Sequence, residues 1–179
     1  MSKIWDYLGW SIIFLTGLGI ISFYGMARID RVRQQAQIEA YVNQGPESQE
    51  KSPYFGYIRF PQYQVERLIR YGDPNQVVDA SYIGIFGSVP KDLQVESLLL
   101  VGHSRTNLFS VLHHLQLKNE VELYHQATLY HYEVVKRKII RADDSSFLKE
   151  ITDPMLVLIT CLNDNQKRLI LFCKLNRPA

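Results

Sequence analysis

Three side chains of this sequence have the chemistry to break and remake an acyl bond: Cys161, Arg168 and His103. The first two stand in LVLITCLNDNQKRLILF (residues 156–172), where one apolar run ends in the thiol, a second begins beside the guanidinium, and a short polar loop joins them. If residues 163–166 form a four-residue loop, Leu162 faces Lys167 and Cys161 lies directly opposite Arg168. Residues so opposed on one face of an antiparallel pair have Cβ atoms about 4.5 to 5.5 Å apart. A buried-type strand, LLLVGHS (residues 98–104), delivers His103 to a strand terminus, where side chains emerge from a rigid scaffold into loop-lined space. The three then divide the roles of acyl transfer. The thiolate is the nucleophile, the imidazole protonates a leaving amine and deprotonates an incoming one, and the permanently charged guanidinium holds substrate or a developing oxyanion.

The same register separates the two cysteines. Cys173 falls opposite Leu156, roughly 16 Å along the strand from Cys161, whereas a disulfide needs Cα atoms within about 7 Å. Cys173 alternates with Leu169, Leu171 and Leu175 and reads as core filling. His113 and His114 lie in an apolar helical pattern, and His125 and His131 flank turns or exposed strand positions. These four read as solvated or capping residues.

Such a set must be carried by strands. After residue 53 the sequence runs as short apolar or alternating segments between turn residues: YFGYIRF, VERLIRYG, VVDASYIGIF, ESLLLVGH, EVELYH, TLYHYEVVKRKII, MLVLITC and RLILFCKL. Their β-branched and aromatic content predicts an all-β barrel or sandwich. TNLFSVLHHLQL and DDSSFLKEI read as helical or looped, with an Asp or Ser capping a turn of the second. Upstream, Tyr7 to Ala27 is an uncharged run flanked by Trp5, Trp10 and Tyr24, enough to cross about 30 Å of hydrocarbon as a helix. RIDRVRQQAQIEAYV (residues 28–42) then reads as a helical stalk, and NQGPESQEKSP (residues 43–53) as a flexible tether. The organisation expected is an anchor over residues 1–27, a stalk and tether over 28–53, and a catalytic domain over 54–179.

Composition narrows the partners. A net charge of +2 from 20 basic and 18 acidic residues gives no excess for nucleic acid, and that class is set aside. No CxxC or Cys/His cluster has the spacing of a zinc site, and Asp143, Asp144 and Glu150 lack an EF-hand pattern, so neither metal nor cofactor is expected. The positive-inside tendency applied alone would hold Arg28, Arg31 and Arg33 in the cytoplasm.

Taken together, the Gly-His pair at 102–103, LFSVLHHLQLKNEVELY, YHYEV, LITC at 158–161 and an arginine on the next strand resemble the sortase family. GYIRFPQYQVERLIRYG is similar to that family's first strands, and the chain order His, Cys, Arg is the family's own. The resemblance covers residues 54–175. Against the family pattern TLxTC, Val157 replaces the first threonine; Asn119-Glu120 stands where Gly-Asp is common, and the loop at 162–167 is short. The resemblance implies an eight-stranded β-barrel with short helices, preceded by one transmembrane helix. It implies a cysteine transpeptidase in which Cys161 cleaves an LPXTG-like sorting signal through a thioacyl intermediate, with His103 as acid and base and Arg168 on substrate and oxyanion. Thr160 would contact the substrate. The acceptor would be an amine of a cell-wall precursor or a pilin lysine, which places the domain outside a Gram-positive cell membrane. Two rivals have different chemistry: a cysteine hydrolase of cell-wall peptides with water as acceptor, and a non-catalytic membrane-anchored β-domain binding a surface partner.

Overall fold

The computed structural model describes residues 29, 32–79, 82–104, 108–162 and 166–176. Compact units cover residues 1–37 and 38–179. The segment expected to span a membrane lies outside the described residues. Among those described, no helix is long and apolar enough to cross one.

In the second unit eight strands close into a barrel in the order β1-β2-β3-β4-β7-β8-β6-β5. They are β1 (Tyr54–Phe60), β2 (Val65–Arg70), β3 (Ile83–Ile85), β4 (Leu98–Gly102), β5 (Glu120–His125), β6 (Thr128–Arg141), β7 (Met155–Cys161) and β8 (Lys167–Leu175). The pairs β2–β3 and β4–β7 are parallel and the remaining neighbours antiparallel. The all-β class and the barrel expected from the segment pattern are thus present.

Strand alternation sorts the apolar residues onto two faces. Ile58, Phe60, Leu98, Leu100, Leu156, Leu158, Leu169, Leu171 and Cys173 fill the interior. On the outside of β7 and β8, Val157, Ile159, Ile170 and Phe172 form a second cluster with Ile140 and Phe147. A 3-10 turn at Ser146–Glu150 covers this outer patch with Phe147, and Asp144 starts the turn by accepting the Ser146 N–H at 2.8 Å. Two buried faces explain why β7 reads as a continuous apolar run rather than an alternating one.

Two segments differ from expectation. VVDASYIGIF is not one strand: Pro74–Asp79 is helical (α3) and only Ile83–Ile85 is β. Asp73 caps that helix, its Oδ1 accepting the N–H groups of Asn75 at 2.9 Å and Gln76 at 3.3 Å, while Pro74 at the first position suits a helix start. Gly84 permits the packing, since a Cβ there would come 3.2 Å from the Pro74 Cα. TNLFSVLHHLQL, expected to be helical or looped, forms among its described residues the 3-10 turn Ser110–His113.

The second difference lies before the barrel. Residues 32–42 are helical (α1) and Pro46–Glu50 form α2 inside the stretch read as a tether. Gln49 is buried; its amide donates to the carbonyls of Tyr41 and Gln44, and its Oε1 accepts the Ala127 N–H. Tyr41 is buried too and donates its hydroxyl to the Phe55 carbonyl at 3.1 Å. A polar composition hides this docking because its partners lie far along the chain.

Candidate active site

The hairpin of β7 and β8 sets the first two chemical groups. Its ladder runs from Met155↔Lys174 through Leu156↔Cys173 to Cys161↔Arg168, and the Leu162 N–H to Lys167 carbonyl bond at 3.0 Å extends it one step further. This is the register expected from the loop length. Arg168 Nη1 donates to Cys161 Sγ at 2.8 Å, and both side chains are only partly buried.

His103 arrives on the neighbouring parallel strand. The β4–β7 ladder ends at Gly102↔Thr160, so the next residues along the two strands are His103 and Cys161. Alternation places both on the outer side with Val101 and Ile159, away from the interior residues Leu100 and Leu158. The carbonyl of His103 accepts the N–H of Phe109 at 3.1 Å, which folds the chain after the histidine back under the strand end.

All three groups open onto one cleft of about 790 Å³. Its floor is the outer face of the barrel at Val101, Ile159 and Ile170. Pro74 and Val78 of α3 stand on one flank, and Phe147 and Leu148 of the covering turn on the other. Phe86 also borders it with 46% of its surface exposed, available to an apolar ligand. The arrangement is an apolar trough with a nucleophile, an acid–base group and a cation together on its border. It suits an extended peptide with apolar side chains whose carbonyl is brought to the thiol.

Thr160, the residue expected to contact substrate, also borders the cleft. Its side chain is fully buried on the interior side of β7, and its hydroxyl donates to the Gly102 carbonyl at 2.8 Å. Of the two flanking elements, the turn after β6 was expected as a capped turn in DDSSFLKEI, while α3 was not identified by the segment pattern; the Asp-Pro pair at 73–74 was the available signal for it.

Cys173 is fully buried in the barrel core, and desolvation pushes its thiol far above the ordinary range. Both cysteines are free. Among the other histidines, His125 departs from the solvated position expected: it is buried, stacks on Phe55 at 3.9 Å between centroids, and places Nδ1 2.6 Å from the Phe55 carbonyl. Burial holds its pKa below the usual histidine value. Desolvation likewise lowers that of His113.

His131 sits with Glu120 and Glu122 on the outer face of β5 and β6, close enough for one ion to reach all three. Glu122 is already paired with Arg59, and His131 Nδ1 lies 2.8 Å from Glu120, so the group reads as an ion-pair ladder across the sheet. The acids considered for calcium have protein partners as well. Asp143 accepts from Arg141, Asp144 caps the 3-10 turn, and Glu150 takes Lys136 at 2.6 Å and Lys138 at 2.5 Å. Those partners depress the pKa of all three carboxyls.

The family model described as the sortase domain matches residues 58–176. No curated protein matches the chain. Among solved structures, sortase C1 from Streptococcus agalactiae is similar with a TM-score of 0.62 at 22% identity, covering 72% of this chain and 70% of that one. A Clostridium perfringens sortase C with the C-terminal cell wall sorting motif gives 0.61 at 22% identity over 70% and 71% of the two chains. A Clostridium perfringens sortase D5 transpeptidase gives 0.64 at 18% identity over 79% and 95%. At these identities the likeness is one of fold.

Proposed function

Since the chain belongs to the sortase family, whose members are cysteine transpeptidases, we propose that it is a membrane-anchored enzyme that cleaves an LPXTG-like sorting signal and transfers the protein to an amine. The observation that carries this is the 2.8 Å contact of Arg168 Nη1 with Cys161 Sγ, at the strand end next to the one that bears His103.

The residues of this chain supply each step. Cys161 Sγ, as thiolate, attacks the carbonyl carbon of the threonine in the signal, and the oxyanion forms beside the sulfur. Arg168, already donating to that sulfur, is placed to donate to the new oxygen, and an arginine keeps its charge throughout. As the C–N bond breaks, His103 passes a proton to the departing glycine nitrogen, leaving a thioester on Cys161. An acceptor amine, from a cell-wall precursor or a pilin lysine, enters with its proton going to His103; the thioester opens and the thiolate returns. The apolar trough of Val101, Ile159, Ile170 and Val78 would hold the leucine and proline side chains of the signal.

The uncharged run from Tyr7 to Ala27 supports the anchor, with the barrel on the outer side where secreted proteins and cell-wall amines are found. The similar Clostridium perfringens sortase C was solved with a cell wall sorting motif, which supports the same class of substrate here.

Intact mass spectrometry of the detergent-solubilised full chain with an LPXTG-type peptide tests the reading. A mass gain equal to the peptide without its glycine-side fragment is expected, lost on adding an amine and absent in Cys161→Ala. Amine-independent discharge of the adduct at the same rate would make the enzyme a hydrolase. No adduct with any of a panel of sorting-type peptides would overturn the assignment.

A further inference from the structure

Thr160 carries a hydroxyl that the barrel buries completely, and that hydroxyl donates to the carbonyl of Gly102. That bond spans the final rung of the β4–β7 ladder, one residue before His103 on one strand and one before Cys161 on the other. The backbone ladder between the two strands ends at this rung. The interior side is made to accept the hydroxyl: Gly102 presents no side chain, and a Cβ there would come 2.9 Å from the buried ring of Phe109. Phe109 in turn is tied by its N–H to the His103 carbonyl.

We infer that Thr160 is a positioning residue for the acyl transfer: its hydroxyl locks the strand end that carries the nucleophile to the strand end that carries the acid–base group. The inference rests on the proposed pairing of Cys161 with His103. It assigns Thr160 no contact with substrate and makes its work geometric. A valine has nearly the same shape but no donor, so it leaves the Gly102 carbonyl buried without this partner and frees the two ends to shift. A serine keeps the donor and loses only a methyl group. A displacement of about 1 Å between reacting groups is enough to cost on the order of 10²-fold in rate.

The test uses the full chain with Thr160→Val, Thr160→Ala, Thr160→Ser and His103→Ala, each checked for folding by its melting temperature. One readout needs no peptide: the rate of alkylation of Cys161 by iodoacetamide across pH. Thr160→Val is expected to move this profile in the direction that His103→Ala moves it, while Thr160→Ser overlays the parent. The second readout is steady-state transfer of a sorting-type peptide, where Thr160→Val should lower kcat 30- to 100-fold with KM within threefold. Thr160→Ala should follow valine, and serine should recover most of the loss. A Thr160→Val profile that overlays the parent while that of His103→Ala does not would overturn the inference, as would a KM increase at unchanged kcat. If His103→Ala also leaves the alkylation profile unmoved, the pairing in the proposed function fails and takes this inference with it.

Discussion

At the scale of single residues, Arg168 donates to the Cys161 sulfur, and in the proposed reaction its permanently charged guanidinium would also donate to the oxyanion. Replacing it with lysine keeps the charge but not the fork, and kcat for peptide transfer is expected to fall on the order of 10²- to 10³-fold, the range for losing one oxyanion donor. Steady-state kinetics with matched melting curves would check this; an unchanged kcat would remove Arg168 from the reaction. The two thiols should part company under iodoacetamide. Peptide mapping of the native protein should find the label on Cys161 alone, with Cys173, buried and held protonated, reacting only in denaturant. Much of this was legible in the sequence, because the loop length sets the hairpin register and the register sets which side chains meet. The local surroundings of Thr160 were less legible, for a physical reason. Alternation already placed it on the face opposite Cys161, but nothing in the sequence says that the cleft lies outside the barrel rather than within it.

Among elements, α3 and the 3-10 turn after β6 matter most, since they turn a flat outer sheet face into a trough. The strands were legible from alternation and β-branched content. α3 was less so: its two valines read equally well as strand, and the decision belongs to the Asp73 cap and to Pro74. Asp73→Ala should cost about 1 kcal/mol of stability, which corresponds to a fall of a few degrees in melting temperature for a domain of this size. The same change should raise KM for a sorting-type peptide more than it lowers kcat, because Pro74 and Val78 line the trough. Calorimetry and kinetics on the one variant would separate the effects, and a kcat effect alone would count against α3 as a wall.

For the molecule as a whole, the segment before the barrel is held at the same place as a titratable group: Tyr41 and His125 both meet the Phe55 carbonyl. Burial lowers the pKa of His125 in the folded state, so on acidification the unfolded chain takes up the proton first. Stability is therefore retained above the unfolded histidine value, about 6.5, and is lost as pH falls below it. The urea midpoint should drop between pH 7.5 and 5.5, and His125→Phe should flatten that drop; equal slopes in the two proteins would assign the effect elsewhere. The order of strands in the barrel has a consequence of another kind, for how the protein is born. β8, the last of the eight strands to be synthesised, inserts between β6 and β7, which were made before it. Until it emerges, two long strand edges stand open, a hazard for association with other nascent chains, and the thiol has no guanidinium beside it. Ribosome traffic thus keeps the nucleophile and its cation apart until the barrel can close around them.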